Sequence, residues 1–298
     1  MVAISTNRDK LMRQALLGKI APPKMLVEGG LIGGYVTTWD GRPKIGIGVG
    51  GIKYNVGVGD PCLGWAEAEY LEPGVSLLGV DDRAEMAFVK LSCVGNEATV
   101  VDGEAKGARG VVTGKGGTAA TAGHVFAHFP EADLEGLNIG DKVRVTAEGV
   151  GLEIEGFDGR VFNMSPGFLE SLGPEIDDGM LRLPAVKEVP SHAMGMGVGG
   201  APAESGSWCI QFSPPRLVEE LGLGGLRIGD LVACRDILMS YGKGYYRGAM
   251  TIGVVTTGGS DIAGHGPGVM AIAASKKGKI EPRIDPGANV TRYLGLEA

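Results

Sequence analysis

The hydrophobic pattern of residues 226–274, LRIGDLVACRDILMSYGKGYYRGAMTIGVVTTGGSDIAGHGPGVMAIAA, reads as strand, turn, strand, a glycine-rich loop holding Asp261 and His265, and a further apolar strand. Short extended segments are predicted over 98–102, 111–113, 181–190 and 208–212. Another runs over 137–149, where Val143 and Val145 alternate with polar neighbours. Residues 45–51, IGIGVGG, alternate glycine with a branched side chain. One face of that predicted strand is bare backbone, which another element or a ligand must approach. Glu67 and Glu69 share one face of an extended segment and read as a solvated strand face. The diglycine stretch Gly114-Lys115-Gly116-Gly117 reads as a tight loop.

Helical patterns are few and short. Leu11, Ala15 and Leu16 share a face over residues 7–17, with Asn7 as cap and Ala21-Pro22-Pro23 as stop. Ser165 caps, and Pro166 opens, a helix reaching about Leu172, with Gly173 past its end. Ser213-Pro214 opens a second, which ends at Gly222. Residues 82–93 fit a helix leading into a strand or a strand throughout. The chain after Lys276 is polar, carries Pro282 and Pro286, and reads as surface. The fold expected is mainly β, built of small barrels or sandwiches with a few short capped helices. It divides into a glycine-rich part, residues 1–180, and a C-terminal part, residues 181–298, that completes the site.

Composition sharpens this picture at three points. Glycine, 53 of 298 residues, is more than twice the usual share of roughly 7%. Without a three-residue period it favours tight turns and close backbone approach over helix. The net charge of −7 argues against a nucleic-acid or anionic-membrane partner, since both need a basic face. Cys62, Cys93, Cys209 and Cys234 have no metal-motif spacing, which is the usage of a reduced cytosolic protein with buried thiols. The first residues lack the apolar stretch of a signal peptide, and no run approaches a membrane span, so a cytoplasmic location is expected. Glycine-rich strands with bare backbone also point to a homo-oligomer.

Three phrases occur twice. SPGFLESLG (165–173) is echoed by SPPRLVEELG (213–222), LNIGDKV (137–143) by LRIGDLV (226–232), and GVVTGKGG…AGH (110–124) by GVVTTGG…AGH (253–265). Either the chain contains a duplication, or capped helices and IGD turns are common local solutions. In both GVVT phrases an apolar strand is followed by glycines and then a histidine. Two such segments facing each other would bring His124 and His265 into one cleft.

His124 and His128 share a face on a strand or a helix and suit zinc or a similar divalent metal, though buried, hydrogen-bonded imidazoles fit the same spacing. The stretch is not HExxH. Asp261 and His265 lie four apart in a loop stripped of bulk by glycine. Asp261 either orients His265, joins it on a metal, or makes local turn bonds. Lys106, Arg109 and Lys115 beside glycine-rich turns, with Arg247 on a later strand, are the candidate anion-binding set. Arg247 shares its face with Tyr245 but not Tyr246, and an Arg–Asp pair across that hairpin, with Arg235-Asp236 on the facing strand, is the structural alternative. Gly114-Lys115-Gly116 lacks the P-loop Ser/Thr, so no nucleotide cofactor is expected.

The stretches GDPCLGW…EPGVSL (59–77), GNEATVVDGEAKGARGVVTGKGG (95–117) and GYYRGAMTIGVV (244–255) resemble the bacterial and archaeal domain-of-unknown-function family 4438 over most of the chain. The resemblance implies small barrel-like domains, one similar to the barrels of translation elongation factors, and brings no activity. Gly59-Asp60-Pro61, Glu72-Pro73-Gly74 and the late glycine-rich loops also resemble the acetamidase/formamidase family, although that family's acidic and cysteine-bearing stretches find no match.

These features lead to an expectation of a metal-assisted, hydrolase-like enzyme acting on a small carboxylated or amide-bearing metabolite. His124, His265 and Asp261 are its catalytic candidates, and His124, His128, His265 and Asp261 its metal candidates. A non-catalytic protein that binds a small anion is the alternative.

Overall fold

Val143 and Val145 alternate into the interior of a closed barrel, as their spacing predicts. The computed structural model describes residues 4–25, 35–116 and 123–296. Its strands in chain order are β1 (Gln14–Ile20), β2 (Val36–Thr37), β3 (Pro43–Lys44), β4 (Val75–Gly79), β5 (Glu97–Val100), β6 (Arg109–Gly116), β7 (His124–His128) and β8 (Lys142–Ala147). They continue with β9 (Arg160–Val161), β10 (Glu175–Asp177), β11 (Met180–Ala185), β12 (Lys187–Pro190) and β13 (Trp208–Cys209). The last are β14 (Leu231–Met239), β15 (Lys243–Val255), β16 (Gly268–Ser275) and β17 (Ile280–Ile284). The α-helices are α1 (Asp82–Leu91), α2 (Glu131–Leu134), α3 (Pro166–Ser171), α4 (Pro215–Glu220) and α5 (Val290–Leu294). None of the described helices is long and apolar enough to cross a membrane. The fold is mainly β.

The barrel runs β1-β4-β7-β6-β5-β8, every neighbour antiparallel. Val75, Leu77, Val100, Val112, Val125 and Val143 fill it, and α1 adds Phe88 and Val89 to the same cluster. Asp81 caps α1 through the amides of Arg83 and Ala84, so residues 82–93 are helical as far as Leu91, and the backbone turns extended at Ser92. Gly18 has no side chain because the Phe88 ring lies against its backbone. Gly18→Ala should therefore cost about 1–3 kcal/mol by overpacking, read as a lowered midpoint in urea unfolding.

In the second half the order is β12-β14-β15-β16-β13, with β9 also on β16. The central strands are buried on both faces, so they read as continuous apolar runs. Leu231, Ile252 and Ile272 belong to one core, and Val232, Val255 and Val269 to the other. A smaller sheet, β10-β11-β17, packs beside the first core.

Several local readings are corrected by tertiary contacts. Over residues 7–17 only Arg8–Lys10 is helical, as one 3-10 turn, because β1 begins at Gln14 and bonds to both β4 and β8. Residues 45–51 are not a regular strand: Gly46, Gly48, Gly50 and Gly51 all take positive φ, leaving isolated bridges at Ile47 and Val49. Gly114-Lys115-Gly116 lies inside β6. Ser165 caps α3 as expected, but Ser213 does not cap α4; its Oγ accepts a bond from the Gly264 amide. The polar tail is integral, with β17 parallel to β11 and Ala288 and Val290 fully buried.

Candidate functional site

Residues 67–72, Glu-Ala-Glu-Tyr-Leu-Glu, form a hub of buried charge, with Glu69 and Glu72 buried against Lys44 and His124. Glu67 (φ 57°) and Tyr70 (φ 50°) take left-handed backbone, an uncommon state for bulky residues that concentrates at functional sites. Two glycine-rich segments grip the hexapeptide. On one side the Ile47 amide donates to the Glu67 carbonyl (2.9 Å) and the Glu72 amide to that of Gly48 (3.0 Å). On the other, the Tyr70 amide donates to the Gly259 carbonyl (2.9 Å) and the Gly258 amide to that of Leu71 (2.8 Å). Leu71 occupies the space where Gly48 and Gly258 would carry Cβ atoms.

Three acid–base arms leave this hub. Glu69, fully buried, accepts through Oε1 from Lys44 Nζ (3.0 Å) and from the Asp261 amide (2.9 Å). Its Oε2 has no partner among the described residues. Lys44 Nζ also donates to the Ala68 carbonyl (2.7 Å) and the Asp261 carboxylate. Burial opposes charge on Lys44, but the bonds to Asp261 and Glu69 outweigh it and raise its pKa.

The second arm is the Tyr70 hydroxyl hydrogen-bonded to His265 Nδ1, the two rings meeting edge-on with centroids 5.6 Å apart. Cys209 Sγ lies 3.8 Å from the same hydroxyl, and burial pushes that thiol up to about 12, so it stays neutral.

The third arm is Glu72, whose two oxygens lie 3.0 and 2.9 Å from His124 Nδ1. Oε2 also accepts from Ser76 Oγ (2.6 Å) and the Gly50 amide (2.8 Å). Lys53 Nζ donates to Ser76 Oγ (2.9 Å). Burial alone would raise the Glu72 pKa; the His124 bond and the charges of His124 and Lys53 hold it below its ordinary value. With Nδ1 on Glu72, the other nitrogen of His124 is buried and unpartnered among the described residues.

His124 and His265 are thus tied to residues two apart on one hexapeptide rather than to each other. The two GVVT phrases do pack together: a Cβ on Gly114 would fall 2.7 Å from Thr256, and one on Gly116 3.3 Å from Thr257. Asp261 pairs with Lys44, where an Asp261–His265 partnership was an open reading. His128 follows His124 along β7 and is half-buried, its pKa lowered by burial. Among the described residues no group of three or more His, Cys, Asp or Glu side chains stands ready to hold a metal, so His124, His128, His265 and Asp261 are not gathered as one ligand set.

The anion-binding set is dispersed as well. Lys115 is buried at 2% exposure and spends its three N–H bonds on the carbonyls of Val89 (2.7 Å), Lys90 (3.3 Å) and Ser92 (3.0 Å), closing the C-terminal end of α1. Lys106, Arg109 and Arg247 are exposed. The Arg–Asp pair across the hairpin does not form: Arg235 binds Glu188, and Asp236, at a bulge, accepts from the Gly248 amide (2.6 Å). Sequence alone does not single out Lys44, Lys53, Tyr70 or Ser76, places Glu72 only in a Pro-Gly turn, and gives Glu69 a solvated face. The available signal was three glutamates within six residues between glycine-rich stretches.

Family models cover nearly the whole chain: the N-terminal part of a domain of unknown function (DUF4438) matches residues 35–170, and its C-terminal part residues 171–294. The chain belongs to this family. Among solved structures, the one described as the crystal structure of TM1086 superposes with a TM-score of 0.89 at 40% sequence identity, covering 98% of this chain and 99% of that one. No curated protein matches. In this DUF4438 chain the hexapeptide is bonded both to His124 of the barrel and to Gly258 and Gly259 in the loop after β15.

Proposed function

We propose that the protein is a hydrolase-like enzyme acting on a small carboxylated or amide-bearing metabolite, with Tyr70 and His265 as its proton-transfer pair. The observation that carries this is Tyr70: a bulky residue held in left-handed backbone, its hydroxyl on an imidazole nitrogen, both rings half-exposed. Lys44 ties Glu69 to Asp261 and so positions the loop that carries His265. The Asp261 side chain remains 52% exposed and supplies a polar group at the mouth of the site. The hydrolytic class rests on the likeness of residues 59–61 and 72–74 to acetamidases and formamidases.

Purified protein assayed on a panel of small carboxylated amides and lactones tests this. Tyr70→Phe keeps the ring and should lower kcat by about 100-fold or more, with KM little changed. His265→Gln removes the ring nitrogen on the Tyr70 hydroxyl and should lower kcat by a similar factor. Turnover unaffected in both variants sinks the assignment, and a wild type inert on the whole panel favours the anion-binding alternative. Stoichiometric metal in the purified chain, lost in His124→Ala, would instead support metal assistance.

A further inference from the structure

Beside the hexapeptide, against Ala68, Leu71 and the preceding Ala66, lies a cleft of about 680 Å³, whose wall includes the backbone of Gly48, Gly50 and Gly51. Its lining is mostly apolar, and Lys53 is the one charged side chain among the described residues that form it. Lys53 differs from the other two buried lysines of this region. Lys44 and Lys115 each meet three acceptors, which uses all the N–H groups of an ammonium. Among the described residues Lys53 Nζ meets two, the Gly50 carbonyl (2.8 Å) and Ser76 Oγ (2.9 Å). The hydrogen-bonded link to the Glu72 carboxylate runs through Ser76, whose hydroxyl donates to Glu72, and the Glu72 charge acts on Lys53 across space.

We propose that this cleft binds a small monocarboxylate with an apolar body, its carboxylate on Lys53 Nζ and its hydrocarbon along Ile47, Leu71 and Ile139. The proposal goes beyond the Tyr70–His265 reading and stands without it. Ile47 and Ile139 are 47% and 48% exposed, so apolar surface is open to solvent beside the one cation. Burial pushes Lys53 down to about 8, because nothing bonded to it carries a full negative charge. An arriving carboxylate supplies that charge and occupies the third N–H. A dianion fits less well: there is one cation in the lining, Glu72 stands behind it, and the chain carries a net charge of −7.

Titration calorimetry of the full chain with hexanoate at pH 7 tests the proposal. Saturable binding is expected at or below about 10 mM, with hexanamide and succinate each at least about tenfold weaker. Lys53→Met should weaken hexanoate at least about tenfold, and so should raising the pH to 10, where the amine is neutral. Should Lys53→Met fail to fold, Ile139→Asp, a change at an exposed position, should weaken hexanoate by a similar factor through repulsion. Equal binding of hexanamide, undiminished affinity in the variant that folds, or no saturation overturns the site. Tyr70→Phe should leave hexanoate binding intact, so loss of this site and loss of the catalytic reading are separately visible.

Discussion

Glu72→Ala should destabilise the protein by about 3–5 kcal/mol, measured as the change in unfolding free energy in urea at pH 7. Glu72 is 5% exposed and serves His124, Ser76 and the Gly50 amide at once. Removing it strands three buried donors. Glu72→Gln keeps an acceptor and should cost less. It also isolates the pH dependence. The folded Glu72 carboxyl lies below its ordinary value of 4.5, so the stability it lends is full above that pH and is lost as pH falls through the folded value. The wild-type advantage over Glu72→Gln should accordingly shrink on acidification below pH 4.5. A Glu72→Ala protein as stable as wild type would show that the barrel and the hexapeptide are not joined by this carboxylate.

Lys115→Met should cost about 3 kcal/mol, since three carbonyls at the end of α1 lose their donors while the apolar stem is roughly conserved in volume. Burial pushes Lys115 down to about 8 from 10.5. Between those values the unfolded chain binds the extra proton, so the stability difference between wild type and Lys115→Met should grow as pH rises from about 8 to 10. A difference that stays flat across that range would mean the amine keeps its proton when buried. The experiment also separates a structural lysine from a ligand-binding one, because anions should leave the Lys115→Met difference unchanged.

Much of the architecture was legible from the residues alone. The Val143/Val145 alternation, the Ser165-Pro166 helix start with Gly173 beyond it, and the strand–loop–strand pattern of 226–274 all depend on contacts within a few residues, where local geometry decides. Residues 7–17 went the other way. Their apolar spacing fits a helix, but seven residues of backbone gain two ladders of hydrogen bonds by joining the barrel, and weak helix propensity yields to that. IGIGVGG was rightly marked as bare backbone, and the structure shows what approaches it: Leu71 at Gly48, and the Pro22-Pro23 backbone at Gly50.

The site was legible only in fragments. His124, Asp261 and His265 were singled out, and each does lie against the hub, but with partners that sequence distance concealed. Lys44 and Asp261 are 217 residues apart, and Tyr70 and His265 195. A charge in sequence carries no sign of whether it will be solvated or buried. Glu69 and Lys115 look like ordinary surface residues until the fold removes their water, after which each must find fixed partners. The sequence by itself determined the mainly β class, the acidic net charge, and the glycine positions where backbones pass closely, because these follow from local sterics and composition. Which carboxylate meets which histidine, which lysine caps a helix and which one is left with a hydrogen bond to offer were decided by tertiary structure alone. Those outcomes depend on burial, and burial exists only once distant segments have packed.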